Sequence, residues 1–488
     1  MRPYSIATLL LVSFLSAGFS QKLDFSILLA PTGGVHSPRD FVIDNDGCIY
    51  VAGGAREGVP VTDNAFQKTY NGHSTWSGGD AYLMKLSPIG NLLYATYIGG
   101  KGSEESFRIA LDNSGNIYVC GSTWSYDFPF TNNAYQKKKG GDADNFIIKF
   151  DKNFQLVAST YLGGDGFDYP TNINIVDDKI YLTGRTNSSD FPVTKNVIDT
   201  SYHSWQSPNP QWQDMIIDVS IAVLSINLDS VIYATYLGGK DRDEIISASF
   251  DNNHNLILTG LTWSDNYPTT SDCYDSKLDG GRDGFITILN PDLSKIIYST
   301  YIGGNAIDNI AGPIEIDASD NLLLSGSTSS RDFPTTSDAL YNNFIGGETD
   351  GFMMKFNLNT YKIIYSSYIG GKENDEIGYV AEINNQNYLL VGSSESTDYP
   401  ITLDAFDQSF NGEFDIVLSI LDKALSKIEY STFIGGSKND FRLRFQLIKD
   451  RLLFISLQNS SPDFPVTKKL VNFDNNEIST LLKISLKE

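Results

Sequence analysis

The sequence predicts an all-β protein, a seven-bladed β-propeller of four-stranded antiparallel blades. The first observation is that the element Ser159-Thr160-Tyr161-Leu162-Gly163-Gly164 recurs in near-copies along the chain. Its second glycine falls at positions 34, 100, 164, 239, 304, 371 and 436, in steps of 64 to 75 residues. Self-similarity at a nearly fixed period indicates a repeat architecture.

The second observation is that each period contains four short apolar runs separated by turn residues. Runs rich in β-branched and aromatic residues and bounded by Gly, Asn or Asp predict strands, and tight turns between them make neighbouring strands antiparallel. Four such strands repeated seven times predict the propeller. In the second unit the runs cover residues 107–112, 117–121, 146–150 and 156–162.

The two chain ends are expected to differ from the repeats. Residues 1–20 combine Arg2, an apolar stretch and small residues before Gln21, which predicts a secretory signal peptide too short to span a membrane. The remainder, 21–488, is expected to form one propeller domain that is secreted, periplasmic or at the cell surface. Its strand 23–30 matches the last strand of a unit and 479–486 matches the third, so the N-terminal strand is expected to complete the last blade.

One rim of the propeller is expected to be the working face. If the first strand of each unit is innermost, the Gly-Gly loops and the loops between second and third strands share that rim. We call it the Gly-Gly rim. The long insertions also belong to these loops, and binding residues concentrate on loops held by a rigid scaffold.

The succession of motifs resembles a known family. After S-T-Y-L-G-G come an acidic pair, I-A-L-D-N-S-G-N-I-Y-V, D-F-P-x-T, G-G-D and a final apolar strand. This order is similar to that of the seven-bladed β-propeller repeat family of bacterial secreted and surface proteins, over residues 23–488. The resemblance implies a shape and no single activity. Its D-F-P element recurs at Asp127-Phe128-Pro129, Asp190-Phe191-Pro192, Asp332-Phe333-Pro334 and Asp463-Phe464-Pro465.

Composition narrows the range of partners. The chain is 41% hydrophobic and 12% aromatic, as expected of a protein with a packed core, and its formal charge of -23 disfavours nucleic acid and anionic membranes. No segment of the mature chain is predicted to span a membrane. A closed ring has no exposed sheet edge, so a monomer is expected.

An acidic residue follows Gly-Gly at the same place in six of the seven units. Such a ring of acids could bind a cation, but a residue repeated from blade to blade is better explained by accepting backbone N–H bonds in its own loop. No metal site is therefore predicted, and the sequence identifies no cofactor. The acids are Glu104, Asp168, Asp243, Asp308, Asp375 and Asp440.

The departures from the repeat are candidates for function. Units one and three carry insertions at the Gly-Gly rim, and tryptophans lie in these insertions or in the same loop of units two and four. Exposed aromatic rings stack on sugar rings, although the same residues could pack the insertions onto the blades. The five candidates are Trp76, Trp124, Trp205, Trp212 and Trp263.

Arginines occur in the same quadrant. Arg39 and Arg108 fall near the start of innermost strands, and Arg56 and Arg185 end second strands. Guanidinium groups bind carboxylate or sulfate in a bidentate manner, so this quadrant is expected to recognise an acidic glycan. The alternative is that each arginine pairs with a rim carboxylate.

These features permit an enzyme hypothesis. An arginine that neutralises a uronate carboxylate would ease removal of the adjacent proton, and a tyrosine or histidine would take that proton. The candidates are His73, His203, Tyr126 and Tyr169. The expected function is a lyase that degrades uronate-containing polysaccharides or oligosaccharides, with or without sulfate groups; the alternative is a non-catalytic propeller that binds a glycan or a protein. The shape is also similar to that of propeller-fold, ulvan-type polysaccharide lyases, with no motif that transfers residue by residue.

Overall fold

The computed structural model describes residues 20–31, 38–72, 79–203, 217–448, 452–459, 468–469 and 478–487. Every regular element in these residues is a β-strand. Accordingly, the described part of the chain has no helix with the length and apolar character needed to cross a bilayer. The all-β prediction is confirmed.

Six sheets each consist of four consecutive antiparallel strands in chain order. The strands of the first three sheets are β2 (Pro38–Ile43), β3 (Ile49–Ala55), β4 (Asp80–Leu86), β5 (Leu92–Ile98), β6 (Glu104–Leu111), β7 (Ile117–Thr123), β8 (Asp144–Phe150), β9 (Leu156–Leu162), β10 (Asp168–Val176), β11 (Lys179–Thr186), β12 (Asp218–Ser225) and β13 (Val231–Leu237). Those of the next three are β14 (Asp243–Phe250), β15 (Leu256–Thr262), β16 (Asp283–Leu289), β17 (Ile296–Ile302), β18 (Asp308–Ile316), β19 (Asn321–Thr328), β20 (Asp350–Asn357), β21 (Lys362–Ile369), β22 (Asp375–Ile383), β23 (Asn387–Ser394), β24 (Asp415–Asp422) and β25 (Ile428–Ile434).

The last sheet is built from both chain ends. Its strands are β1 (Ser20–Pro31), β26 (Asp440–Ile448), β27 (Leu452–Asn459), β28 (Lys468–Lys469) and β29 (Ile478–Lys487), in the spatial order β26-β27-β29-β1-β28. The predicted closure by the N-terminal strand is thus confirmed. The strand is longer than the predicted 23–30 because its antiparallel pairing with β29 extends from Ser20 opposite Lys487 to Pro31 opposite Ile478. The sheet also departs from the predicted four strands, since β28 adds a short parallel pairing to β1.

The seven sheets of the described residues are arranged as propeller blades. The first strands of consecutive sheets contact one another, from β2 with β6 through β18 with β22, which places the first strand of each sheet innermost. The ring closes because β2 also contacts β26 and β27. Neighbouring sheets pack through apolar faces: Tyr50 and Leu83 of the first sheet lie against Val119 and Phe146 of the second.

Hydrogen bonds explain why the S-T-Y and D-F-P elements recur together. The Tyr161 hydroxyl accepts the Phe128 N–H at 3.0 Å and donates to the Ser125 carbonyl at 3.0 Å. Tyr236 does the same for the next unit, with the Phe191 N–H and the Ser188 carbonyl. The last strand of each of these sheets therefore holds the loop between the second and third strands, which places that loop reproducibly at the Gly-Gly rim.

The repeated acids accept backbone N–H groups of their own Gly-Gly loops, as predicted. Asp243 Oδ2 accepts the N–H of Gly239 at 2.7 Å and the Ser264 hydroxyl at 2.9 Å. The equivalent bonds are made by Glu104, Asp168, Asp308 and Asp375 to Gly100, Gly164, Gly304 and Gly371. The prediction is confirmed for these five acids, and the side chain of Asp440 lies outside the described residues.

A second acid approaches each of these loops and creates a buried carboxyl pair. The carboxyl groups of Asp243 and Asp218 both lie against Gly238. A Cβ atom added to this glycine would be 2.7 Å from Asp243 Oδ2 and 3.0 Å from Asp218 Oδ1. Burial, with a smaller contribution from Asp243, raises the pKa of Asp218 to about 8, and burial raises the pKa of Asp243 to about 7. The other carboxyl pairs are Asp80–Glu104, Asp144–Asp168, Asp283–Asp308 and Asp350–Asp375.

Candidate functional site at the Gly-Gly rim

Tyr169 lies at the centre of an aromatic cluster on the Gly-Gly rim. It is the second residue of β10, the innermost strand of the third sheet. Its ring centroid lies 6.2 Å from that of Trp124, 6.3 Å from that of Phe107 and 6.2 Å from that of Phe167. All four rings are half-buried, so each keeps part of its surface in solvent.

Arg185 connects this cluster to the fourth sheet. It is the cross-strand partner of Tyr169, and its guanidinium carbon lies 5.2 Å from the Tyr169 ring centroid. Arg185 Nη1 also donates to Glu244 Oε1 at 3.0 Å, and Arg242 pairs with the same oxygen. Two arginines from consecutive sheets therefore share one carboxylate.

Trp263 extends the arrangement across the fourth sheet. The guanidinium carbons of Arg242 and Arg282 lie 5.1 Å and 4.9 Å from its ring centroid. At the opposite end, Arg39 pairs with Glu105 and its guanidinium carbon lies 6.0 Å from the Phe107 centroid. We call the connected set the arginine–aromatic belt, and its members are Arg39, Glu105, Phe107, Trp124, Phe167, Tyr169, Arg185, Arg242, Glu244, Trp263 and Arg282.

The belt places a cationic strip on an acidic protein. It contains four arginines and two glutamates, in a chain with a formal charge of -23. Burial raises the pKa of the Tyr169 phenol, and the neighbouring Arg185 partly offsets that rise. The phenol is therefore protonated at neutral pH and available as a hydrogen-bond donor.

Several candidates from the sequence lie within the belt, and others have different surroundings. Tyr169, Arg185, Trp124, Arg39 and Trp263 are members. Tyr126 is 77% exposed, and the Lys139 ammonium lies 4.4 Å from its ring centroid.

The remaining arginine candidates are Arg108 and Arg56. The Arg108 side chain turns back to donate to the Phe107 carbonyl at 2.7 Å, next to buried Cys120. Arg56 has an exposed side chain, and its backbone carbonyl accepts the Tyr97 hydroxyl at 3.2 Å. His73, Trp76, Trp205 and Trp212 lie outside the described residues.

His203 belongs to the same rim but has separate partners. Its Nε2 lies 2.8 Å from Asp199 Oδ2, and its backbone N–H donates to Asp218 of a carboxyl pair. It lines a cavity of about 240 Å³ with Leu237 and Pro268, near the outermost strands of the third and fourth sheets. A larger depression of about 770 Å³, lined by residues between Thr269 and Asp279, contains none of the sequence candidates.

Sequence reasoning did not select Arg242, Glu244 or Arg282. The signal was available by aligning the units: Arg242 and Arg282 directly precede the two acids that open β14 and β16. Among the first six units, only the fourth has arginine at both of these positions. Among the side chains that the structure describes, no three histidine, cysteine or carboxylate residues converge as metal ligands would.

The fold and rim define a β-propeller with a cationic, aromatic face. In comparisons with known proteins, the family model described as Beta-propeller repeat matches residues 93–129. This match covers the last strand of one blade and the first half of the next. No curated protein matches the chain.

Solved structures with similar folds have diverse functions. They include an ulvan lyase bound to -[GlcA(1-4)Rha3S]- (11% identity, 93% of this chain and 94% of that one, TM-score 0.47). Others are a quinohemoprotein alcohol dehydrogenase from Comamonas testosteroni (9%, 95% and 76%, 0.45) and BamB from Moraxella catarrhalis (10%, 96% and 100%, 0.36). At these levels none of the similarities bears on the activity of this chain.

Proposed function

We propose that this protein binds an acidic polysaccharide or oligosaccharide along the arginine–aromatic belt. The observation that carries the proposal is the continuity of the belt. Contacts run without a break from Arg39 through Phe107 and Tyr169 to Arg185, and on to Trp263. Aromatic faces stack on the C–H faces of sugar rings, and guanidinium groups bind the carboxylate or sulfate substituents between them.

The charge distribution supports the same partner. An anion approaching a protein of net charge -23 is repelled in general, so a strip with an excess of arginines directs it to one place. Because Glu105 and Glu244 already neutralise part of the belt, a glycan carboxylate would exchange with them rather than meet bare cations. Binding is therefore expected to weaken as salt is added.

Replacing Trp124 by alanine is expected to weaken glycan binding. The loss of one stacking ring costs about 1 kcal/mol or more, which is roughly fivefold or more in affinity. Affinity electrophoresis in gels containing polygalacturonate, dextran sulfate or neutral dextran measures this. Trp124→Phe, which keeps a flat ring, serves as the matched control. Equal retardation of wild type and Trp124→Ala would place the glycan elsewhere.

A second candidate function is eliminative cleavage of a uronate-containing glycan. The observation that favours it is the pairing of Arg185 with Tyr169, a cation beside an acid–base group. In this step Arg185 neutralises the uronate carboxylate, and the Tyr169 phenolate removes the C5 proton. The electron pair forms the C4–C5 double bond, the C4–O bond breaks, and the phenol returns the proton to the departing oxygen. The elimination requires neither an oxidant nor a cofactor.

Tyr169→Phe is expected to abolish elimination while preserving glycan binding. The measurement is the ultraviolet absorbance of the unsaturated uronate during incubation with uronate polysaccharides. Because burial raises the pKa of Tyr169, the rate should increase as the pH rises from neutral into the alkaline range. An activity that survives Tyr169→Phe, or that is constant over this range, would exclude Tyr169 as the base. Absence of product with every uronate substrate would leave the binding function alone.

The cellular setting belongs to the same proposal. Secretion after removal of residues 1–20 would bring the belt into contact with extracellular glycans. A monomeric ring would leave the Gly-Gly rim open to a long chain. Light scattering and N-terminal sequencing of the exported protein would test these two points.

A further inference from the structure

We infer that Arg242, Arg282 and Trp263 form a subsite for a single oxyanionic substituent, a sulfate or a carboxylate, at the fourth-sheet end of the belt. As a feature of glycan recognition, this inference rests on the proposed function. The oxyanion site itself follows from the contacts of these three residues. Neither arginine was among the candidates selected from sequence.

Two guanidinium groups lie beside one indole ring. Their carbons lie 5.1 Å and 4.9 Å from the Trp263 ring centroid. Burial lowers the pKa of Arg282; repulsion from Arg242 adds to this shift, and attraction to Glu244 and Asp308 opposes it. Two like charges beside one ring are unfavourable unless the indole and nearby anions compensate for them.

The Glu244 carboxylate forms an ion pair with only one of these two arginines. Glu244 pairs with Arg242 and Arg185. In contrast, the Arg282 guanidinium is attracted by Glu244 and Asp308 but forms no ion pair or hydrogen bond with a side chain that the structure describes, and its Nε is buried without a partner. A buried donor without a partner is costly, so a ligand oxygen that accepts from Arg282 would gain more than an ordinary surface contact.

Backbone hydrogen bonds hold the two segments that carry these arginines. The Arg242 carbonyl accepts the Trp263 N–H at 2.9 Å, and the Arg282 carbonyl accepts the Asp308 N–H at 2.9 Å. A parallel bridge also pairs Arg282 with Ile307 of the next sheet. A site whose groups are already positioned loses less entropy when a ligand binds.

The repeat does not require these arginines. Directly before the first acid of the third strand, where the fourth sheet has Arg282, the first, second, third, fifth and sixth sheets have Gly79, Ala143, Ile217, Thr349 and Phe414. Directly before the acid of the first strand, where the fourth sheet has Arg242, the second, third, fifth, sixth and last sheets have Ser103, Phe167, Ile307, Asn374 and Asn439. The fourth sheet alone combines two arginines with a tryptophan, which is expected of a local binding site.

The decisive experiment combines a small probe with charged glycans. Crystals of the full protein soaked in selenate should show an anomalous peak between the guanidinium groups of Arg242 and Arg282. In affinity electrophoresis, Arg282→Gln should weaken binding to dextran sulfate or polygalacturonate by about tenfold or more, as expected for loss of a charged hydrogen bond. The two gels distinguish a sulfate from a carboxylate substituent, and binding to neutral dextran should not change.

Arg331→Gln is the matched control, because the Arg331 guanidinium carbon lies 5.5 Å from the Phe344 centroid in the next sheet, outside the belt. It should bind charged glycans as the wild type does. If Arg282→Gln also binds them normally while Trp124→Ala does not, the subsite is refuted and the glycan function stands. If no glycan retards the wild type but selenate occupies the site, the glycan function fails and the oxyanion site stands. Crystals without selenate at Arg282 would overturn the subsite.

Discussion

Removal of residues 21–34 is expected to lower the midpoint of thermal unfolding by roughly 10 °C or more. The segment contains most of β1, which pairs with β29 along almost its whole length. Without it, β29 becomes an exposed edge strand and the last sheet loses its fourth position. The loss removes backbone hydrogen bonds and apolar burial together, and the new edge favours association between molecules.

Strand complementation provides the control for this deletion. A synthetic peptide of residues 20–31, added in excess, should bind the truncated protein and restore much of the lost melting temperature, because mass action favours the bound state. A peptide of the same composition in scrambled order should not. The melt is followed by circular dichroism. A truncated protein that melts like the full chain would show that β1 does not stabilise the ring.

The repeat made the fold predictable. Four strand signals per unit, tight turns such as the one at Gly115, and the matching ends of the chain together determined the sheet order, including the closure by β1. What the pattern could not supply was β28, since Lys468 and Lys469 pair with β1 in parallel and no turn signal accompanies such a contact. The role of the repeated acids, accepting backbone N–H groups of the Gly-Gly loops, was also predictable. A side chain that recurs from unit to unit is expected to have a structural role common to those units.

The candidate site was predictable only in part. Departures from the repeat identified Trp124, Trp263 and Arg185, and aromatic and basic residues at the rim were expected from them. Their partners come from different places: Arg185 of the third sheet meets Glu244 of the fourth, and Trp263 meets Arg282 from the other end of its own loop. Contacts between sheets depend on strand register and bulges, which sequence patterns do not fix to a single residue. His203, an obvious candidate by type, has Asp199 of its own loop as its partner.

Stability is expected to decrease as the pH rises from about 4 to about 8. Burial raises the pKa of Asp218 to about 8 and those of Asp168, Asp243, Asp283 and Asp350 to about 7, far above the values of these groups in an unfolded chain. At pH values between the unfolded-state and folded-state pKa values of these aspartates, the folded state binds more protons than the unfolded state. The linkage relation then makes the unfolding free energy fall with rising pH. The contribution is complete below about pH 4 and is lost as the pH passes through the folded-state pKa values.

The variant Asp218→Asn separates this effect from the general repulsion among the acids of a protein of charge -23. The amide keeps an oxygen to accept the His203 N–H and offers a donor toward Asp243, so it mimics the protonated pair at every pH. Its melting temperature should equal that of the wild type at about pH 4 and exceed it by several degrees at pH 8. Glu57→Gln removes the same charge from an exposed position and should change the melt little at either pH. If both variants shift the pH 8 melt equally, net charge rather than the buried pair controls the profile, because only the pair distinguishes the two substitutions.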